Sequence, residues 1–135
     1  LERNLIDDFD EMFLIMNSLK KYGITFALDD FGTSFSSISY LKKLPFDKLK
    51  IDKMFITDIF TDKKDYNIVK SSIALGRSME LKIIAEGVEN MDTFNLLKKL
   101  NCDYAQGYFS TKPLETKKFK KFCIEYNSRV KESIK

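Results

Sequence analysis

The residues with the clearest chemistry in this sequence are acidic ones at the ends of short apolar runs. Asp29 and Asp30 follow Ile24–Leu28, Asp52 follows Lys48–Ile51, and Glu86 follows Leu81–Ala85. Gln106 closes a fourth, weaker run, Cys102–Ala105. Histidine is absent from the 135 residues. That excludes imidazole-ligated metals, histidine general bases and Ser-His-Asp or Cys-His nucleophiles. Any chemistry must therefore use carboxylates, lysine or amides. Carboxylates gathered on one rim repel each other unless a cation joins them. A hard oxygen site for Mg2+ or Mn2+ is the natural solution. Two such ions a few Å apart clamp the attacking and leaving oxygens of a phosphoryl transfer.

Lys50 and Asp52 are two apart on one strand and so share a face. Two readings of Lys50 stand: an amine that snorkels to solvent, or an ammonium among carboxylates that orients an attacking water or balances phosphate charge. Asp29 and Asp30 are adjacent, and a regular pleat cannot turn both the same way. The first carboxylate is expected to face inward and the second to belong to the turn. The hydroxyls of Thr33 and Ser34 follow Gly32 at a helix start. They read either as a plain N-cap or as an anion-touching lid.

The elements that must hold these residues alternate. Phe9, Met12, Phe13, Met16 and Leu19 recur at helical spacing over Asp8–Tyr22. Asp8 and Glu11 predict a capping box there, and Gly23 a C-cap. Further helices are predicted at Ser34–Lys42, at Asp65–Met79, after an Asn90 cap, and from about Thr116. Strand and helix alternation predicts parallel strands joined by right-handed crossovers. An open doubly wound sheet and a barrel compete. A full (β/α)8 barrel needs about 250 residues, so this chain has room for about four β/α units, half a barrel.

Composition narrows the classes. The chain is 44% hydrophobic and 32% charged, as in a globular protein. Its formal net charge of +3 is too small and too evenly spread to argue for a nucleic acid polymer. No apolar run approaches the length of a membrane span, so no direct membrane contact is expected. Cys102 and Cys123 read as reduced thiols of a cytoplasmic protein.

Longer motifs now come into view. They are Asp29-Asp-Phe-Gly-Thr-Ser-Phe-Ser-Ser37, Tyr40-Leu-Lys-Lys-Leu-Pro45, Leu49-Lys-Ile-Asp52 with Phe55, Ala85-Glu-Gly-Val-Glu89, and Ala105-Gln-Gly107 with Lys112-Pro-Leu114. In order and spacing they resemble the EAL domain, the bacterial cyclic-di-GMP phosphodiesterase family of second-messenger signalling. The resemblance implies a TIM-like barrel with an acidic two-metal centre, Mg2+ or Mn2+, that hydrolyses cyclic-di-GMP to the linear dinucleotide. By position, Asp29 resembles the aspartate bridging both metals and Asp30 its neighbour at the second metal. Lys50 resembles the catalytic lysine, and Glu86 a metal-centre glutamate with a catalytic role. Glu89 and Gln106 resemble rim residues that support metal-bound water and substrate. Phe31–Ser37 resembles a loop coupling metal binding to dimerisation, and Glu2 the glutamate anchoring that loop.

Departures from the family pattern set further expectations. The Glu-Ala-Leu motif, the asparagine of the next strand and the first metal-binding glutamate are absent, and Ser34 stands where the loop motif has a second glycine. Residues 1–135 are thus expected to match only the C-terminal half of one EAL domain, a partial barrel lacking three metal ligands. Such a chain is expected to bind metal weakly, to be nearly inactive alone, and to self-associate face to face or edge to edge, through its open interior face or its sheet edges. The alternative is a non-catalytic module that binds cyclic-di-GMP or a protein partner; a purely structural role is the third reading.

Overall fold

The computed structural model describes the backbone of residues 2–33 and 37–133 and the side chains of residues 9–33 and 38–128. In chain order the elements are α1 (Glu2–Lys20), β1 (Ala27–Phe31), α2 (Ser37–Lys43), β2 (Lys48–Ile51), α3 (Lys53–Thr57), α4 (Lys63–Ser78), β3 (Lys82–Glu86), α5 (Met91–Lys99), β4 (Tyr104–Gln106) and α6 (Thr116–Ser133). The four strands form one parallel sheet in the order β1-β2-β3-β4. Sequential parallel order with a helix between neighbours is the arrangement of a (β/α)8 barrel, here four strands of it.

The ladder sorts side chains onto two faces. Leu28 pairs with Leu49, and Leu49 with Ile83. Leu49, Ile51, Ile83 and Ala85 are fully buried and form the core with Val69, Ile73 and Leu97 of the helices. Gly76 lets α4 come down onto this face: a Cβ there would lie 2.3 Å from Ile83 Cδ1 and 3.1 Å from Leu49 Cδ2. The alternate residues, Lys48 and Lys50, Ile84 and Glu86, Tyr104 and Gln106, share the opposite face.

Two aspartates secure the strands at their N-terminal ends. Asp47, just before β2, accepts hydrogen bonds from the Phe26 N–H at 2.8 Å and from Lys20 Nζ at 2.7 Å. Asp103, just before β4, accepts from the Ile83 N–H and from Lys82 Nζ, both at 2.9 Å. In both, burial pushes the carboxyl up, but the N–H and ammonium donors outweigh it and hold the group below its usual value.

Several predicted boundaries are corrected. Helix α1 runs through Asp8 instead of starting there, so no cap is needed at Asp8. Gly23 does end the helical turn, with φ +81°. Of the predicted stripe only Met16 is buried, while Met12 and Phe13 are 42% and 44% exposed. Strand β1 starts three residues later than predicted, because the ladder with β2 begins at Ala27. Helix α3 was not foreseen: Asp52 does not end a strand passively but caps α3, its carboxylate accepting from the Met54 N–H at 2.7 Å. The Asn90 cap of α5 is present as predicted, accepting from the Thr93 N–H.

Candidate metal centre

The strand ends meet as carboxylates. Between β1 and β2 the ladder runs Ala27↔Lys48, Leu28↔Leu49, then Phe31↔Ile51, so β1 advances three residues while β2 advances two. Asp30 absorbs the surplus with φ +52°, a left-handed backbone tolerated best by Asp, Asn and Gly. This bulge breaks the pleat and brings both adjacent carboxylates to the rim. Asp29, Asp30 and Glu86 each offer an oxygen, and the three atoms lie within 4.8 Å of one another.

Lys50 is wedged among them. Its Nζ lies 2.9 Å from Asp29 Oδ1, 3.0 Å from Asp29 Oδ2 and 2.5 Å from Glu86 Oε1. It does not snorkel away: its side chain is 20% exposed. Burial alone would lower its pKa; the hydrogen bonds to Glu86 and Asp29 outweigh that and hold the ammonium above the usual lysine range. The hydrogen bond from Lys50 likewise holds the Asp29 carboxyl below its usual value. Asp30 is pushed the other way, first by loss of hydration among its neighbours, then by the charges of Asp29 and Asp52. So Asp52 faces Asp30, while Lys50 faces Asp29 and Glu86.

Glycines shape the rim. A Cβ on Gly32, at φ +105°, would lie 2.7 Å from Phe55 Cε2. On Gly107 it would strike the Val88 backbone, 2.1 Å from its carbonyl oxygen. Val88 itself donates to the Gln106 carbonyl at 3.1 Å and accepts from the Phe109 N–H at 3.0 Å.

The other predicted residues fall as follows. Gln106 pairs with Glu86 across the β3–β4 ladder, which sets it on the same rim, exposed. Glu89 is exposed beyond β3. Thr33 turns back on Asp30, its N–H and Oγ1 donating to the Asp30 carbonyl at 3.3 and 2.8 Å. Thr33 thus stabilises the turn after the bulge. Ser34 and the Glu2 side chain lie outside the described residues. Asp52 was read as a polar strand end; its double task, capping α3 while facing Asp30, was missed. The sequence signal was its position two residues before the Met54 N–H, at the start of Lys53–Thr57.

The donor set suits a metal. Three carboxylates without imidazole or thiolate form a hard oxygen site fitted to Mg2+ or Mn2+. A parallel β/α sheet with acidic residues at the C-terminal strand ends defines the class: a partial (β/α)8 barrel with its site at the usual mouth.

Comparison with known proteins gives the family. The EAL domain family model matches residues 1–113. The chain belongs to the EAL domain family. This corrects the expectation that the family match is to a C-terminal half only: the match spans nearly the whole chain. Signaling protein YkoW of Bacillus subtilis is 42% identical over 95% of this chain, and cyclic di-GMP phosphodiesterase NbdA of Pseudomonas aeruginosa is 35% identical over 93%. The chain spans 16% of the length of each of these two relatives. Among solved structures, the EAL domain of Mycobacterium smegmatis DcpA superposes with a TM-score of 0.82 at 34% identity, covering 87% of this chain and 53% of that one. The PaMucR phosphodiesterase in complex with c-di-GMP gives 0.76 at 40% identity, covering 83% and 45%.

Proposed function

We propose that residues 1–135 act as one unit in metal-dependent hydrolysis of cyclic-di-GMP to the linear dinucleotide, in the bacterial cytoplasm. The observation that carries this reading is Lys50 held among Asp29, Asp30 and Glu86 at three neighbouring strand ends. The relatives named as cyclic di-GMP phosphodiesterases support it.

Asp29, Asp30 and Glu86 would hold Mg2+ or Mn2+. The metal supplies Lewis-acid activation of a phosphodiester and of water. The chain's own residues do the positioning. Lys50, as an ammonium, has three donors and no acceptor, so it orients water and phosphate oxygens. Glu86 fixes Lys50 from the neighbouring strand and would also offer an oxygen to the metal. Gln106 and Glu89 support substrate and water at the rim, and Thr33 secures the turn after Asp30. Three carboxylates are a thin shell for two ions, which take six or more oxygens each. Hydrolysis by the 135-residue chain alone is expected to be slow.

The test is calorimetry with Mn2+ beside a cyclic-di-GMP hydrolysis assay. Mn2+ binding that is weakened by Glu86→Gln is the expected result. Failure to bind Mn2+ at millimolar concentration overturns the reading. The second reading, nucleotide binding without turnover, is favoured by one fact: Lys50 already neutralises two of the three carboxylates. Binding of cyclic-di-GMP in the absence of metal would select it.

A further inference from the structure

Helix α3 stands between the two strand ends that carry the carboxylates. Strand β2 lies between β1 and β3 in the sheet. Its last residue, Ile51, is followed by the Asp52 cap and at once by Lys53–Thr57, so the helix leaves directly from the middle strand. Five residues are too few to hold a helix by themselves, and this one is fixed from outside. The Asp52 carboxylate accepts from the Met54 N–H at 2.7 Å. Thr57 Oγ1 donates to the Lys53 carbonyl at 2.9 Å. Phe55, Ile56 and Ile59 are at most 7% exposed and belong to the core.

Both flanking turns close on this helix through a glycine. Gly32 lies two residues beyond Asp30, with φ +105°, and Gly87 one residue beyond Glu86, with φ +73°. A Cβ on Gly32 would lie 2.7 Å from Cε2 and 3.2 Å from Cζ of Phe55. On Gly87 it would lie 2.6 Å from Cβ and 3.4 Å from Cα of Lys53. The backbone just past each carboxylate therefore rests on α3 with no side chain of its own between. On the β1 side it meets an aromatic ring, on the β3 side the first residue of the helix. A ring buried in a close-packed core does not move aside.

We infer that α3 is the spacer of the metal centre: Phe55 and the Lys53 Cβ fix how far Asp30 stands from Glu86, and so which divalent cation fits. The selectivity part of this rests on the metal reading given above. Phe55 and Lys53 are positioning residues, acting through Gly32 and Gly87 and not by contact with the ion. A held width favours Mg2+, which demands near-octahedral geometry at about 2.0–2.1 Å. Slack favours Ca2+, which accepts irregular shells at about 2.3–2.6 Å.

Mn2+ bound to the protein, followed by electron paramagnetic resonance, is displaced with Mg2+ or with Ca2+. The ratio of Mg2+ to Ca2+ affinity should fall about three- to tenfold in Phe55→Leu. It should fall similarly in Lys53→Gly relative to Lys53→Ala, which keeps the Cβ. A loss of stability, or of the Lys53 charge, weakens both ions alike and leaves the ratio where it was. An unchanged ratio in Phe55→Leu and Lys53→Gly therefore overturns the proposal. Lys53 is exposed, so Lys53→Gly decides the matter if Phe55→Leu does not fold. Crystal structures grown without metal give a second measurement. The Asp30–Glu86 Cα separation should differ from wild type by about 0.5 Å or more in either variant, while Leu49, Ile51 and Ile83 superpose. A separation that does not move also overturns the proposal. A wild-type chain that binds none of these ions overturns the metal reading instead, and the metal-free separation then decides the spacer by itself.

Discussion

Lys50 and Glu86 stand on neighbouring strands, two residues out of register, and their Nζ and Oε1 atoms are 2.5 Å apart. The two-residue offset puts both side chains on one face, and Asp29 grips the same ammonium from the other side. One cation therefore compensates two anions from two strands. Replacing Lys50 with Met removes that compensation and leaves three carboxylates facing one another. Mn2+ affinity of Lys50→Met should rise about three- to tenfold by calorimetry, because the competing cation is gone. Cyclic-di-GMP hydrolysis should fall below detection in the same protein. Loss of metal binding in this variant would contradict a counter-charge role.

Asp30 separates ligand chemistry from backbone strain. At φ +52° a β-branched residue costs about 1–2 kcal/mol, whereas Asn and Gly fit. Asp30→Asn and Asp30→Gly should unfold at wild-type temperatures in the absence of metal, and Asp30→Val several degrees lower. All three should bind Mn2+ at least about tenfold more weakly, having lost one charged ligand. Thermal melts with and without Mn2+ read both effects.

Acid stability is set at the opposite end of the sheet. Asp47 and Asp103 have carboxyls held below their usual value in the folded chain. A depressed folded value contributes stability that is fully present above the unfolded value, about 4. It is lost as pH falls through the lower, folded value. Urea midpoints should therefore be flat from neutral pH to about 5 in respect of these groups and drop below about 4. Asp103→Asn should remove part of that drop and cost about 1–2 kcal/mol at neutral pH.

Two glycines should respond unequally to alanine. Gly76→Ala presses on the flexible end of Ile83, costing about 1–3 kcal/mol, offset by about 1 kcal/mol of helix propensity. Gly107→Ala meets the Val88 backbone, which cannot rotate away. It should cost about 3 kcal/mol or more. Denaturant titration of the two variants gives the comparison directly.

The strand ends and their order were legible because buried parallel strands are short apolar runs closed by polar residues. Lys48–Ile51 was located to the residue, and Asp29, Lys50 and Glu86 fall on one rim as their spacing implies. The bulge at Asp30 was not legible. Its left-handed backbone depends on the pairing of Phe31 with Ile51, a tertiary fact that no local pattern carries. Helix α3 was hidden for a similar reason: five residues are too few to show a period, and only the Asp52 cap announces them. The apolar stripe of α1 was legible, yet Met12 and Phe13 on it are exposed, since periodicity reports a face and not what covers it.

Val88 is tied twice to the segment after β4, through Gln106 and Phe109, with Gly107 seated against its backbone. The two sides of the mouth are therefore braced by different means. Glu86 and Gln106 are set on a fixed jaw, whose spacing a ligand cannot change without breaking two backbone hydrogen bonds. On the β1 side the bulge at Asp30 is held by the turn to Thr33, whose N–H and Oγ1 both donate to the Asp30 carbonyl. The β3–β4 side is closed by backbone packing around Gly107, the β1 side by a hydroxyl folded back on a bulge, so a Cβ at Gly107 disturbs one side of the mouth and a lost Thr33 hydroxyl the other.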